Sequence, residues 1–484
     1  MAPGTPNPIK EKQMNEPVPW TIADCLAATG GELYGEDPGT IFSKISIDSR
    51  RISKGDLFVA IKGEVHDGHS FADEVVRRGI SGLILEKSSI GGLPCGEWAE
   101  KAVVIITVGN TTKALGDLAI YHRRRNRASI LAITGSNGKT TTRRMSAAVV
   151  SQGFTTLSTR KNFNNNIGLP LTLLELLPAH QWAVVELGMN APGEIDYLAG
   201  ICEPDIGVIT NIGPAHLEGV GSMDGVMKAK GELLGKIKSG GTAVLNADDQ
   251  RLMRLAEQTS GDVLLYGLSD KALVRALDVK STNFGSTFTL VLSDKQIPVD
   301  LKIPGKFMIS NALAAAAAGH NIGLSPEQIK KGLEDFTPAP GRMNIVHTRV
   351  GIHIIDDTYN ANPGSMAAAF ATLIALRKNH RAILVIGDMK ELGEHAESLH
   401  LEVGALAARS GIDRLYATGD FAKRLAAGAA GEGMKRQDIF TGTKQEILEL
   451  LTGRLNRDDW ILVKGSRSMA MEEIVQGLLK WADK

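Results

Sequence analysis

Residues 130–142 (Ile-Leu-Ala-Ile-Thr-Gly-Ser-Asn-Gly-Lys-Thr-Thr-Thr) constrain what this chain can fold into more than any other stretch. The apolar run Ile130 to Ile133 reads as a buried strand, Gly135 and Gly138 bracket a tight turn, and Lys139-Thr140 opens a helix. A strand that feeds a helix through such a turn is the building unit of a parallel α/β sheet. Backbone N–H groups at the helix start can cradle phosphate oxygens, and the helix dipole favours their charge. Lys139 is placed to reach terminal phosphates, and the Thr140 hydroxyl to bind Mg²⁺. Gly135, Asn137, Gly138, Lys139, Thr140 and Thr141 are therefore candidate nucleotide contacts. One departure stands out: the usual spacing has a glycine where this chain has Ile133. The expectation is a nucleoside triphosphate site.

The chain has 484 residues, too many for one core, so several domains are expected. Lys+Arg and Asp+Glu both number 54, and a formal charge of zero offers no overall attraction to nucleic acid or to an acidic membrane. The dense basic run from His122 to Arg127 ends a predicted helix, where the dipole favours cations. A solvated helix end is the expectation there. Cys25, Cys95 and Cys202 share no metal-ligand or CxxC spacing, which suits reduced thiols. The apolar runs are too short to span a bilayer, and the Pro- and Asn-rich start has no apolar core of a signal peptide. A soluble, cytoplasmic protein with no nucleic-acid or membrane partner is expected.

The pattern divides into a loose extension (1–19), a small α/β domain (20–108), a central domain (109–338) and a C-terminal domain (339–484). In the first domain, strands are predicted at 44–50, 56–61, 82–85 and 102–108, with a helix at 71–78 and another at 112–124 leading to the Gly-rich loop. In the central domain the apolar runs 183–186, 206–210 and 242–246 end in polar residues, as parallel strands covered on both faces should. Segments 274–279, 287–292 and 299–303 suggest a small antiparallel sheet. Two prolines and a glycine at 337–341 mark a boundary. Strands at 352–355, 382–386, 414–417, 438–440 and 460–463 then alternate with helices in a second doubly wound sheet.

Ligands of such sheets sit beyond the carboxyl ends of the strands. Glu186 ends one strand, and His216 lies just past the next. A carboxylate and an imidazole there are suited to holding Mg²⁺ against a triphosphate, directly or through water, with a buried, hydrogen-bonded imidazole as the alternative for His216. Lys228 and Lys230 follow on a predicted helix; a lysine beside a metal site needs a phosphate partner or a chemical modification to make sense.

Further stretches complete the pattern: 162–170 (Asn-Phe-Asn-Asn-Asn-Ile-Gly-Leu-Pro), 186–190 (Glu-Leu-Gly-Met-Asn), 211–218 (Asn-Ile-Gly-Pro-Ala-His-Leu-Glu), 357–363 (Asp-Thr-Tyr-Asn-Ala-Asn-Pro), 387–393 (Gly-Asp-Met-Lys-Glu-Leu-Gly) and 464–469 (Lys-Gly-Ser-Arg-Ser-Met). With the Gly-rich loop, these resemble the Mur ligases, ATP-dependent amide ligases of peptidoglycan precursor synthesis. The likeness runs from about residue 20 onward and is greatest to the members that add D-alanyl-D-alanine.

The resemblance implies three domains: a uridine-nucleotide-binding unit, a P-loop ATPase and a Rossmann-like ligase domain. It implies ATP and Mg²⁺, with UDP-N-acetylmuramoyl-tripeptide and D-Ala-D-Ala as substrates and a monomeric enzyme. Lys139, His216 and Lys230 are the implied catalytic set, and Thr140, Glu186, His216 and Lys230 the implied metal set. Lys230 aligns with a lysine that is carbamylated in the family. Asn311 is similar to the residue that reads adenine, while Arg342 and Asp357 are expected to close over the nucleotide. The family often has Gly-x-His-Asn upstream of that asparagine, whereas this chain has Gly305-Lys306-Phe307-Met308.

Ser49, Arg50 and the 63–69 loop resemble the uridine cradle, and Asn164 and Asn165 look like contacts to the muramyl peptide. Tyr359, Asn362 and Ser466-Arg467 are candidates for the incoming dipeptide, with helix capping and turn formation as the alternative. The implied chemistry is an acyl phosphate attacked by the dipeptide amine. A diamino-acid-adding or folyl-polyglutamate ligase shares the scaffold, but the Tyr-Asn-Ala-Asn-Pro run at 359–363 does not look like the diamino-acid enzyme. A regulatory P-loop switch would need neither the uridine-type loop nor the second doubly wound domain.

Overall fold

The computed structural model describes residues 14–63, 65–282 and 285–483, so most of the expected N-terminal extension and residue 64 of the 63–69 loop lie outside it. Helix α1 (Ile22–Thr29) begins at a capping box, in which the Thr21 side chain accepts from Asp24 N–H and Asp24 returns the bond. Strands β1 (Glu32–Tyr34), β2 (Ile45–Ser46), β3 (Leu57–Val59), β4 (Gly82–Glu86) and β5 (Val104–Val108) form a sheet of order β1-β5-β4-β3-β2. Only the β1 pairing is antiparallel. The strand expected over 44–50 stops after two residues. The Asp48 carboxylate accepts from Arg50 N–H and turns the chain into a short 3₁₀ segment, Ser49–Arg51.

Helix α2 (Thr111–Arg125) joins this unit to the next. Its Ala114, Leu115 and Leu118 pack in the N-terminal core with Trp20 and Ile106, while Ala119 packs in the central one. The solvated helix end expected at its close forms only in part: Arg124 and Arg127 are exposed, but their neighbours are not. His122 and Arg123 are buried; Arg123 Nε donates to Cys202 O at 2.9 Å, and the Arg125 guanidinium lies 4.2 Å over the Trp20 ring. The basic run is the joint between two domains.

The central sheet contains β6 (Ser129–Thr134), β7 (Thr156–Ser158), β8 (Trp182–Glu186), β9 (Ile206–Ile209), β10 (Thr242–Asn246), β11 (Asp262–Gly267), β12 (Val274–Thr282), β13 (Gly285–Leu292) and β14 (Lys295–Leu301). Its order is β14-β13-β12-β11-β10-β9-β6-β8-β7. The small antiparallel sheet expected over 274–303 is thus an extension of the same sheet. Strand β11 carries the parallel pairing as far as β12, and β13 and β14 then fold back antiparallel. Helices α3 (Lys139–Val150) and α4 (Lys306–Asn321) pack together over one face, where Ala312 to Ala318 are fully buried and let the helices approach closely. The P-loop strand β6 lies between β8 and β9, at the point where successive crossovers diverge and ligands bind.

The C-terminal sheet has β15 (Asn344–His347), β16 (His353–Asp357), β17 (Ala382–Ile386), β18 (Arg414–Ala417), β19 (Ile439–Thr441) and β20 (Trp460–Lys464), in the order β15-β16-β20-β17-β18-β19. Its parallel strands match the expected doubly wound pattern; the antiparallel edge strand β15 was not anticipated. Helix α5 (Pro363–Arg377) starts at Asn362, beside the exit of β16. Cys25, Cys95 and Cys202 are buried thiols without a disulfide. Among the described residues no helix is long and apolar enough to cross a membrane.

Candidate active site

The Gly-rich loop follows from the sheet beneath it. Ile133, where a glycine is usual, pairs with both Glu186 and Val208 and is fully buried. The strand continues through Thr134, so the turn begins only at Gly135. A Cβ on Gly135 would lie 1.9 Å from Thr210 Oγ1, and one on Gly138 would lie 2.3 Å from Asn311 Oδ1. Both glycines also have positive φ (145° and 80°), so side chains are excluded on steric and conformational grounds. The segment after β9 clamps the loop. Ser136 Oγ donates to Gly213 O at 2.9 Å, Asn137 N donates to Asn211 Oδ1 at 2.9 Å, and Thr210 Oγ1 donates to Asn137 O at 2.6 Å.

Lys139 Nζ donates to Gly135 O at 2.7 Å. Burial pushes its pKa down; the Glu186 carboxylate opposes that shift and the Arg342 guanidinium reinforces it. Thr140 Oγ1 sits 3.2 Å from Glu186 Oε1, which also accepts from Asn164 Nδ2 at 2.9 Å. Glu186 Oε2 is buried without a hydrogen bond, 3.7 Å from Arg143 Nε. Lys230 is wholly buried and its Nζ has no hydrogen-bond partner. Desolvation, with Lys139 second, drives its pKa well below that of an ordinary lysine.

The C-terminal domain docks onto this group. Arg342 Nη2 reaches Thr140 Oγ1 at 3.4 Å, and its guanidinium lies 4.0 Å from the centre of the Tyr359 ring. Asn362 Nδ2 donates to Asn137 Oδ1 at 2.8 Å. His216 Nδ1 and Glu391 Oε2 are 2.8 Å apart, in contact but not aligned as a hydrogen bond.

Lys139, Thr140, Glu186, Asn164 and Arg342 therefore form one cluster, with Asn137, His216, Tyr359 and Asn362 at its edge. Thr141 is buried in the first turn of α3. Several other expected contacts are engaged in local structure. Asn165 Oδ1 accepts from Ile167 N and Gly168 N, and the Asn362 side chain caps α5 by accepting from Ser365 N at 2.8 Å. Capping, the alternative for Asn362, is thus present, but its amide also reaches the loop. Asn311 is buried and accepts from Thr142 Oγ1 at 3.2 Å. Asp357 accepts from Lys464 Nζ at 2.5 Å and from Met343 N at 3.1 Å. Ser49 and Arg50 lie on the N-terminal domain, apart from this cluster, where Arg50 is exposed and held by Asp48 at 2.8 Å. Ser466 Oγ accepts from Lys390 N at 2.9 Å, and Arg467 is paired with Glu472 at 2.8 Å.

Two residues without an expected role belong here. Arg143 donates to Thr159 O and to Ser158 Oγ, the latter at 3.3 Å, while facing Glu186. It is four residues after Lys139 on one helix, so helical periodicity was the signal for it. Glu391 stood in the 387–393 stretch, but nothing in the sequence pairs it with His216.

Among the described residues, no group of three or more His, Cys, Asp and Glu could hold a metal. The donors instead suit Mg²⁺, which takes one or two carboxylates and completes its shell with phosphate and water oxygens. The unpartnered buried Glu186 Oε2 and Lys230 Nζ are the groups that such an ion and a modified lysine would satisfy.

Three family descriptions match the chain: the Mur ligase family catalytic domain at residues 42–123, the Mur ligase middle domain at 133–319, and the Mur ligase glutamate ligase domain at 341–467. The chain is 37% identical over 465 residues to the UDP-N-acetylmuramoyl-tripeptide–D-alanyl-D-alanine ligase of Escherichia coli K12, covering 95% of this chain and 98% of that one. It is 35% identical to the protein of the same name from Bacillus subtilis 168, covering 91% and 94%. A MurF crystal structure from Acinetobacter baumannii superimposes with a TM-score of 0.87 at 34% identity, covering 96% and 99%. The Thermotoga maritima MurF ligase in complex with ADP gives 0.80 at 26% identity, covering 91% and 98%.

Proposed function

The chain belongs to the Mur ligase family, and from that premise we propose that it joins D-alanyl-D-alanine to UDP-N-acetylmuramoyl-tripeptide through an acyl phosphate. It is an ATP-dependent ligase. We place it in the cytoplasm as a monomer acting on small molecules, with neither nucleic acid nor membrane as partner. The observation that carries the reading is the meeting of two sheets at one site, with Arg342 and Asn362 of the C-terminal domain on Thr140 and Asn137 of the P-loop. A split site of this kind suits a reaction in which one domain activates a carboxylate and another brings the amine.

A carboxylate oxygen is a poor leaving group, so amide formation needs prior activation. The tripeptide carboxylate attacks the γ-phosphorus of ATP; an O–P bond forms, the β,γ bridge breaks, and ADP leaves with the electron pair. Lys139 and Arg342 offset the charge that develops on the transferring phosphoryl group. The dipeptide amine then attacks the acyl carbon, gives up a proton, and phosphate leaves with the electrons of the C–O bond. Docking of the C-terminal domain excludes water, which would otherwise hydrolyse the acyl phosphate. The hinge is assigned to the 338–341 segment.

Thr140, Glu186, His216 and a carbamylated Lys230 would hold Mg²⁺, which when bound neutralises phosphate charge. The buried Lys230 favours its neutral amine. That amine can add to CO₂ with loss of a proton, giving an oxygen anion that the nearby Lys139 charge attracts where it repels a cation. Arg143 and Asn164 orient Glu186. Asn311 supports the loop from α4, and Asp357 anchors Lys464. Arg50, exposed on the N-terminal domain, is assigned with Ser49 to the uridine diphosphate, and Tyr359 to the incoming dipeptide.

Phosphate release from ATP, measured with the UDP-linked tripeptide in the presence and absence of D-Ala-D-Ala, tests the reading. Release that needs both, with a pentapeptide product by mass, is expected. Release independent of the dipeptide would overturn it.

A further inference from the structure

His216 and Glu391 come from loops of different domains, and both are non-glycine residues with positive φ, 57° and 63°. Such backbone persists where the surroundings over-determine it, and it gathers at functional sites. The surroundings are visible on both sides. The 387–393 loop is tied into the C-terminal domain by Asp388, whose carboxylate accepts from Asp420 N at 2.9 Å and Phe421 N at 3.1 Å. Lys390 N donates to Ser466 Oγ at 2.9 Å. At its far end the loop lies against the central domain, where a Cβ on Gly393 would come within 3.3 Å of Glu218 Cα. Glu391 is thereby held out toward the P-loop, close enough for Lys139 and its carboxylate to feel each other's charge.

We propose that Glu391 is a positioning residue: its carboxylate, already 2.8 Å from His216 Nδ1, closes that contact into a hydrogen bond when the C-terminal domain seats on substrate, and so fixes the imidazole with Nε2 free for the reaction zone. A carboxylate on one ring nitrogen sets both the tautomer and the ring orientation of a working histidine. Because the carboxylate arrives with the domain that carries the amine, His216 is correctly set only when that domain is seated. Domain closure and readiness of the phosphate site are thus one event. This deepens the ligase reading and rests on it; turnover by the unaltered chain tests that reading, and the variants below test the inference.

The test uses the full-length chain. Glu391→Ala is expected to lower kcat roughly ten- to hundredfold, the usual cost of removing a partner that orients a working histidine. The Kd values for ATP and UDP-linked tripeptide should stay within about twofold. Glu391→Gln, which keeps an acceptor oxygen, should recover part of the loss. In a His216→Ala background, adding Glu391→Ala should change the residual rate by less than about twofold. Hydrogen exchange, read without turnover, should rise in both the 213–220 and 387–393 loops of Glu391→Ala, and to the same extent in His216→Ala. Wild-type kcat in Glu391→Ala, a further tenfold loss in the double variant, or unequal exchange in the two single variants would overturn the proposal.

Discussion

The amide of Asn362 donates to Asn137 Oδ1 at 2.8 Å, joining the N-terminus of α5 in the C-terminal domain to the phosphate loop of the central one. The same side chain caps α5, so it has two separable functions. Asn362→Ala should lose both, lowering stability by about 1 kcal/mol and also slowing turnover. Asn362→Ser keeps a capping oxygen but is too short to reach Asn137. It should melt like the parent while kcat falls by roughly three- to tenfold, the worth of one hydrogen bond. Thermal melts paired with steady-state kinetics separate the two effects.

Lys139→Ala and His216→Ala should each abolish turnover, by on the order of 10³-fold, without unfolding the protein. Neither side chain builds the core: Lys139 bonds back to the loop at Gly135 O, and His216 faces Glu391. Circular dichroism and melting should match the parent chain. Full ligase activity in either variant would remove that residue from the mechanism.

The central strand, turn and helix were legible because a short apolar run, two glycines and Lys-Thr permit few other folds. Ile133 marks the loop as a variant in the sequence. It reflects a strand that stays paired on both sides for one more turn of the ladder. The hairpin strands of the 274–303 region were legible singly, but not their attachment to the main sheet. That attachment runs through Asp262–Gly267, whose apolar stretch does not declare its neighbours. Interdomain pairs were the least legible. Asn137 and Asn362 are 225 positions apart, and side-chain chemistry alone gives no reason to join them. The basic run at 122–127 was legible only where Arg124 and Arg127 are exposed; burial of His122 and Arg123 depends on a second domain that local sequence does not contain.

Arg143 illustrates a buried cation whose partners are fixed by geometry. It reaches Thr159 O, Ser158 Oγ and the face of Glu186 from one helix position. Arg143→Ala should cost about 3 kcal/mol, because it removes the buried cation facing Glu186 Oε2 and leaves Thr159 O without its donor. Arg143→Lys keeps the charge, but a single ammonium cannot span the same three groups, so about half of that loss should remain. Urea unfolding of the three proteins measures the order; equal stability for Ala and Lys would mean that packing, not charge, is what Arg143 contributes.

His122 makes the joint between the N-terminal and central domains sensitive to acid. Its ring stacks on Trp20 with centroids 5.5 Å apart, and its Nε2–H donates to Leu176 O at 2.9 Å. Burial, reinforced by Arg125, pushes its pKa down to about 4. In the unfolded chain the same group titrates near 6.5. Between those values the unfolded chain binds more protons, so stability is intact above about pH 6.5 and declines as pH falls. The expected loss is about 2 kcal/mol at pH 5 and about 3 kcal/mol at pH 4. His180, His353 and His400 have lowered pKa values as well and act in the same direction. Comparison with His122→Gln, which keeps a donor for Leu176 O, isolates the one residue. Denaturation at pH 7.5 and pH 5 should show a gap smaller by about 2 kcal/mol in the variant. An unchanged gap would mean that His122 is protonated in the folded chain at pH 5, and that the joint tolerates the charge.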